Sequence, residues 1–235
     1  MLKIGIIAAM EQEIRVLTEQ LNHKEEITKA NQKFYKGKLS DMNVVLVQSG
    51  IGKVNASIAA TLLIEVFQVD AVINTGSAGG IGAGLSVGDL VLSKQLAYND
   101  ADARAFGYAY GQIPQMPERY GADDKLISLF MKAAEKEWTI RNGLIVTGDS
   151  FISSKVEIKK IKEYFEDALV TEMEGAAIAQ TCYQFDIPFL VIRAVSDVAD
   201  EEASVSFDEF IELAGKKSAE TVINFLKEIK QEQKH

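Results

Sequence analysis

The sequence predicts a single α/β domain built on a central, largely parallel sheet. Short apolar runs rich in branched residues alternate with stretches whose apolar residues recur every three or four positions. At 235 residues, 47% hydrophobic and 25% charged, the chain can bury one substantial core and is no longer than many single α/β domains. No linker, internal repeat or low-complexity segment divides it.

Residues 2–9 are apolar almost throughout and turn straight into acids, which suits a first buried strand better than a signal peptide. Residues 10–21 form a helix, with Ile14, Leu17 and Leu21 at helical spacing. Residues 33–39 and 44–49 read as antiparallel strands joined by a turn at 40–43. After Gly50-Ile51-Gly52, residues 53–67 carry Ala56, Ala59, Ala60, Leu63 and Val66 along one helical stripe. A strand at 71–75 is broken by the glycine-rich run 76–84, and another strand follows at 89–97. Residues 98–121 hold Tyr98, Tyr108, Tyr110 and Tyr120 with little periodicity; a loop this long in a compact domain is usually functional or at an interface.

Helices at 124–136 and 155–164 flank a strand at 142–146. A short strand at 168–171 ends in Glu172-Met173-Glu174 and enters a helix beginning Gly175-Ala176-Ala177, small enough to lie close to the sheet. Residues 187–195 form a buried strand opened by Asp186 and Pro188 and followed by Ser196, Asp197 and Asp200. The last helix spans 207–230, with Ser206 as its cap and Glu209 completing a capping box.

The composition excludes several functions. A net charge of -9 leaves no broad basic surface for nucleic acid. No 18-residue apolar run is present to span a membrane. One cysteine permits no internal disulfide, in keeping with a reducing cytoplasm. The two histidines, His23 and His235, supply neither a metal cluster nor a Ser-His-Asp triad. Cys182, amid Ile178, Ala179 and Tyr183, is expected in the core, and Trp138, Phe165 and Phe185 are expected to pack.

The glycine-rich turns do not make a phosphate loop, because Val47 and Val54 stand where glycine and Ser or Thr are needed. No G-x-G-x-x-G follows the first strand, which speaks against a dinucleotide site. The run 76–84 either offers backbone N–H groups to a ligand or merely needs positive φ. Glu13, read alone, is a solvated acid complementing a helix dipole. Glu172 and Glu174 are spaced to share a face, and Asp197 and Asp200 are open to a turn or cap reading. Acids at three separate strand ends nonetheless favour a site, since open α/β sheets bind ligands there.

Residues 6–13 (IIAAMEQE), 49–54 (SGIGKV), 74–80 (NTGSAGG), 148–152 (GDSFI), 172–174 (EME) and 193–200 (RAVSDVAD) resemble the bacterial 5'-methylthioadenosine/S-adenosylhomocysteine nucleosidases of the purine nucleoside phosphorylase/uridine phosphorylase superfamily. The similarity runs through the whole chain in order. It implies one three-layer α/β/α domain over residues 1–235 with a central mixed sheet. It also implies a cytoplasmic hydrolase of adenine thionucleosides that needs no cofactor or metal and works as a homodimer.

For the residues, the resemblance implies that Asp197 protonates N7 of the leaving adenine, that Glu13 deprotonates the attacking water, and that Glu174 grips the ribose hydroxyls. One carboxyl would then stand on each side of the bond, as in inverting glycosidases. Arg193 would hold Glu174 and help place the water, and Ser196 would hold Asp197. Phe151 would stack on adenine and Ile152 would pair with its edge. Ala9, Met10, Ile51, Met173 and Phe207 would line the ribose and alkylthio side, and Ser77, Ala78 and Gly79 the floor. Phe106, Tyr108 and Pro114 of the neighbouring subunit would close the pocket. Asn74-Thr75 stands where related phosphorylases carry an arginine for phosphate, so hydrolysis is expected rather than phosphorolysis. The runner-up is a futalosine or aminofutalosine hydrolase of the same superfamily.

Overall fold

The apolar runs pair edge to edge into one mixed sheet between two helical layers. A computed structural model describes residues 2–134, 138–198 and 203–233, the side chains of 203–209 excepted. The first half of the chain forms β1 (Lys3–Ala8), α1 (Glu11–Glu19), β2 (Asn22–Lys29), β3 (Gln32–Leu39), β4 (Met42–Gln48), α2 (Lys53–Glu65) and β5 (Ala71–Gly80). Next come β6 (Leu90–Tyr98), β7 (Tyr120–Gly121), α3 (Asp124–Ala133), β8 (Ile140–Thr147) and α4 (Lys155–Tyr164). The chain finishes with β9 (Ala168–Glu172), α5 (Gly175–Gln184), β10 (Phe189–Asp197) and α6 (Ala203–Glu232).

β1 lies between β4 and β5, parallel to both. β5 runs parallel to β10, β10 antiparallel to β6, and β6 parallel to β8, which is parallel to β9. β9 then pairs antiparallel with the far end of β5, placing Thr171 and Val170 opposite Gly79 and Gly80. These five strands therefore close on themselves, and β1, β4, β3 and β2 extend from them as an open wing.

Alternation along β1 sorts the layers. Ile4, Ile6 and Ala8 pack with Ile14 and Leu17 of α1, Leu126 and Phe130 of α3, and Val222 and Phe225 of α6. Ile7 faces the other layer with Ala56, Ala59 and Ala60 of α2 and Ala176, Ala177 and Cys182 of α5. Cys182 is fully buried, and burial pushes its thiol up to about 12, so it is a core residue.

Several expectations need correction. β2 is an additional strand: its segment NHKEEITK is exposed along almost its whole length at the sheet edge, so no apolar alternation marks it. The 33–39/44–49 hairpin turns on Ser40 and Asp41 alone, both at positive φ as a tight two-residue turn requires, and Met42 already belongs to β4. The run 76–84 is not simply a loop, because β5 continues through Gly80. The final helix begins at Ala203, so Ser206 lies inside it rather than capping it. Phe165 is buried but Phe185 is 38% exposed. Asp200 and His235 lie outside the described residues, as do the side chains of Phe207 and Glu209.

Candidate active site

Ends of β1, β5, β9 and β10 converge on one cleft. It brings together Glu13, Glu172, Glu174 and Asp197. All four are buried, which requires paired or hydrogen-bonded environments.

Glu13 is the third residue of α1 and 2% exposed, which overturns its reading as a solvated acid. Its Oε2 accepts from the backbone N–H groups of Ala9 (3.0 Å) and Met10 (3.1 Å), in the manner of the reciprocal half of a capping box. Its Oε1 accepts from Ser77 N (2.9 Å) and Ser77 Oγ (3.0 Å) on β5. The helix start thus aims the carboxylate and the extended β5 locks it. Two glycines make the approach possible. A Cβ on Gly76 would fall 2.7 Å from Glu13 Oε1, and one on Gly215 of α6 would fall 2.6 Å from Gln12 O.

Arg193, on β10, is the counter-charge, at 1% exposure. Its Nη2 donates to a carboxylate oxygen of Glu172, to Asn74 Oδ1 at 2.6 Å and to Glu174 Oε2 at 3.4 Å. Burial alone would lower its pKa, but Glu172, Glu174 and Glu13 together hold it above the ordinary value. Arg193 contacts Glu174, as the resemblance implies, but Glu172 and Asn74 are its closer partners. Glu174 precedes α5, and its Oε1 accepts from Gly52 N at 2.9 Å. Burial raises its pKa to about 7, opposed by Arg193 and reinforced by Glu172.

Asp197 ends β10 and is 1% exposed. A register shift between Val195 and Asp197 bulges the strand at Ser196, so these consecutive side chains both line the cleft instead of alternating across the sheet. Ser196 Oγ donates to Asp197 Oδ2 at 2.9 Å. The remaining walls are Ala9, Met10, Ile51, Ala78, Gly79, Ile152 and Met173, with Phe151 46% exposed.

Residues 3–228 match the model of the phosphorylase superfamily. A 5'-methylthioadenosine/S-adenosylhomocysteine nucleosidase from Staphylococcus epidermidis is 54% identical over 220 residues, which is 93% of this chain and 96% of that protein. The structure of the nucleosidase from Neisseria meningitidis in complex with methylthio-immucillin-A matches with a TM-score of 0.95 at 45% identity, covering 97% of this chain and 99% of that one. The chain belongs to the 5'-methylthioadenosine/S-adenosylhomocysteine nucleosidase family of the phosphorylase superfamily. The native structure of futalosine hydrolase from Helicobacter pylori strain 26695 shares the fold with a TM-score of 0.92 at 34% identity, covering 97% of this chain and 98% of that one.

Of the residues that the resemblance to this nucleosidase family singles out, the cleft gathers Glu13, Glu174, Asp197, Ala9, Met10, Ile51, Ser77, Ala78, Gly79, Phe151, Ile152, Met173 and Ser196. Arg193 lies behind them in contact with Glu174. Phe106, Tyr108 and Pro114 do not line the cleft of their own chain; Phe106 is 82% exposed. Sequence reasoning gave no role to Glu172, Thr171, Ser150 or Thr147. Glu172 belongs to the segment 172–174 that carries the resemblance, but spacing alone does not tell which of two nearby carboxylates an arginine takes.

The raised pKa of Glu174 makes a stability prediction. The folded state holds this proton more tightly than the unfolded chain, where the group titrates near 4.5. The resulting stabilisation is full below that value and is lost as pH rises through about 7. Glu174→Gln cannot ionise, so its melting temperature relative to wild type is expected to rise between about pH 5 and about pH 8, by the equivalent of roughly 3 kcal/mol at most. A difference in melting temperature that stays constant across that range would contradict the buried, raised carboxyl.

Proposed function

We propose that the protein hydrolyses the N-glycosidic bond of 5'-methylthioadenosine and S-adenosylhomocysteine, and of 5'-deoxyadenosine, releasing adenine and the corresponding 5-substituted ribose. The observation that carries this reading is the convergence of Glu13, Glu174 and Asp197, from separate strand ends, on one cleft lined by apolar residues. On this reading the protein serves methionine salvage and methyl-cycle recycling, and its proposed location is the cytoplasm. Among the described residues no helix is long and apolar enough to cross a membrane.

The chemistry follows from where charge develops. As C1'–N9 breaks, the bonding electrons go to adenine and positive charge builds on the ribose. Asp197 gives its proton to N7. It must therefore be uncharged when adenine is seated. Glu13 takes a proton from the water that attacks C1'. Of the four donors that occupy Glu13, only the Ser77 hydroxyl can turn away, and it opens the lone pair that the water needs. Glu174 accepts from the ribose hydroxyls and, with Glu172, faces the developing cation. Asp197 ends the cycle ionised and Glu13 protonated, and solvent restores both.

Asn74 supports water over phosphate as the nucleophile. It is fully buried, donates from Nδ2 to Ile7 O at 3.0 Å and accepts from Arg193, so it offers a phosphate dianion no cation. With methylthioadenosine, adenine and free methylthioribose are expected at a rate independent of added phosphate. Formation of a ribose 1-phosphate would overturn the hydrolase reading. Futalosine tested alongside is expected to be the poorer substrate, in line with the lower identity to the Helicobacter protein.

The unit that acts is a homodimer. α2 exposes Val54 and Ile58 on its outer face, with Ile51 just before it and Val66 just after. Such an apolar stripe on a surface helix marks a protein partner. Phe106, Tyr108 and Pro114 would then close the alkylthio end of the partner's cleft.

A further inference from the structure

Resting on this hydrolase reading, we propose that Glu172 is a positioning residue: it anchors Arg193 so that Glu174 stays free for the ribose hydroxyls. Glu172 is built into a rigid frame. Its Oε1 accepts from Thr147 Oγ1 at the end of β8 and from Gly175 N (3.0 Å). Its Oε2 accepts from Glu174 N (3.1 Å), Gly175 N (2.8 Å) and Arg193 Nη2. Every partner donates, so the side chain works purely as an acceptor. Gly175 is needed for this approach, because a Cβ there would lie 3.0 Å from Glu172 Oε1.

The distances around Arg193 decide which acid owns it. Asn74 is at 2.6 Å and Glu172 is closer still, whereas Glu174 is at 3.4 Å. Glu174 Oε1 is taken by Gly52 N, and among the described residues its Oε2 has only that long contact with Arg193 to occupy it. An always-charged guanidinium buried at 1% exposure must keep an anion beside it. If Glu172 loses its charge, the nearest replacement is Glu174, and a tight pair there consumes the acceptor that ribose requires.

The groups facing Glu174 are Arg193 and Asp197 from β10, Glu172 from β9, Glu13 from α1 and the Gly52 N–H ahead of α2. Removing the Glu172 charge takes away a repulsion and brings the cation closer. Both changes favour ionised Glu174, so the acidic limb of kcat/KM moves to lower pH.

The test measures calorimetric affinity of Glu172→Gln for adenine and for 5'-methylthiotubercidin, a nucleoside with carbon at position 7 and so no acceptor for the Asp197 proton. The pH profile on methylthioadenosine is recorded in parallel. Adenine affinity is expected to stay within about two-fold, while nucleoside affinity falls about 10- to 100-fold, as for loss of a hydrogen bond to a charged group. The acidic limb is expected at lower pH, and Glu172→Asp, which keeps the charge, is expected to recover part of the loss. Equal loss of both affinities with a lowered melting temperature would reduce Glu172 to a structural cap and overturn the proposal, as would unchanged nucleoside affinity. Should Glu172→Gln not fold, Thr147→Val loosens the same anchor. A selective nucleoside loss of about three-fold or more is then expected, and a wild-type affinity ratio would overturn the proposal. Failure of the wild-type protein to release adenine would count against the hydrolase reading alone, since the affinity ratio is read without turnover.

Discussion

Replacing Asp197 with asparagine is expected to lower turnover of methylthioadenosine by about 10²- to 10⁴-fold, the range for loss of a general acid, with nucleoside affinity retained within a few-fold. The amide keeps a donor for N7 and an oxygen for Ser196 Oγ, which sits 2.9 Å from the carboxylate. What it lacks is a proton that can leave with adenine. The fold should tolerate the change, because the replacement is neutral and nearly isosteric at a residue 1% exposed. Product assays with matched melting curves check this. Near-normal turnover in a well-folded variant would exclude the acid role.

Glu13→Gln is expected to cost turnover on a similar scale by disabling the water, with a stability penalty that Asp197→Asn lacks. Glu13 receives four donated hydrogen bonds, from Ala9 N, Met10 N, Ser77 N and Ser77 Oγ. A glutamine has one oxygen for them, so its NH₂ must face a backbone N–H at a cost of about 1–3 kcal/mol. The melting temperature should fall, binding of adenine should persist, and hydrolysis should be nearly lost. Hydrolysis at the wild-type rate would move activation of water to another group.

The parts of this fold legible in the sequence are those where burial imposes a pattern. β1 and β10 announce themselves as unbroken apolar runs buried on both faces, and α2 by the buried stripe of Ala56, Ala59, Ala60 and Leu63. β2 does not, since along the edge strand NHKEEITK only Ile27 is partly buried, too little to set a pattern. The continuation of β5 was obscured by its own glycines. Gly76 and Gly80 take extended, not positive-φ, backbone, and they are small because Arg193, Glu13 and Val195 occupy the space a Cβ would need. The closing of β5, β10, β6, β8 and β9 depends on pairings between distant segments, such as Ile192 with Leu92, that no local pattern encodes.

The acids were legible through the blocks that surround them, and their partnership was not. Glu13 looks solvated until β5 is seen to lie across it. Arg193 looks like the partner of Glu174 until Thr147 and the first N–H of α5 are seen to fix Glu172 in the nearer place. The bulge at Ser196 likewise arises from the register of β10 against β5, and it is what turns Asp197 into the cleft.

Asp197 must enter the reaction carrying its proton, and difference infrared spectroscopy of the slow Glu13→Gln protein with methylthioadenosine bound at neutral pH tests this most directly. A protonated carboxyl C=O stretch that disappears when Asp197→Asn is added is the expected result. A spectrum with only ionised carboxylate at that residue, with substrate seated, would contradict the account of how the glycosidic bond is broken.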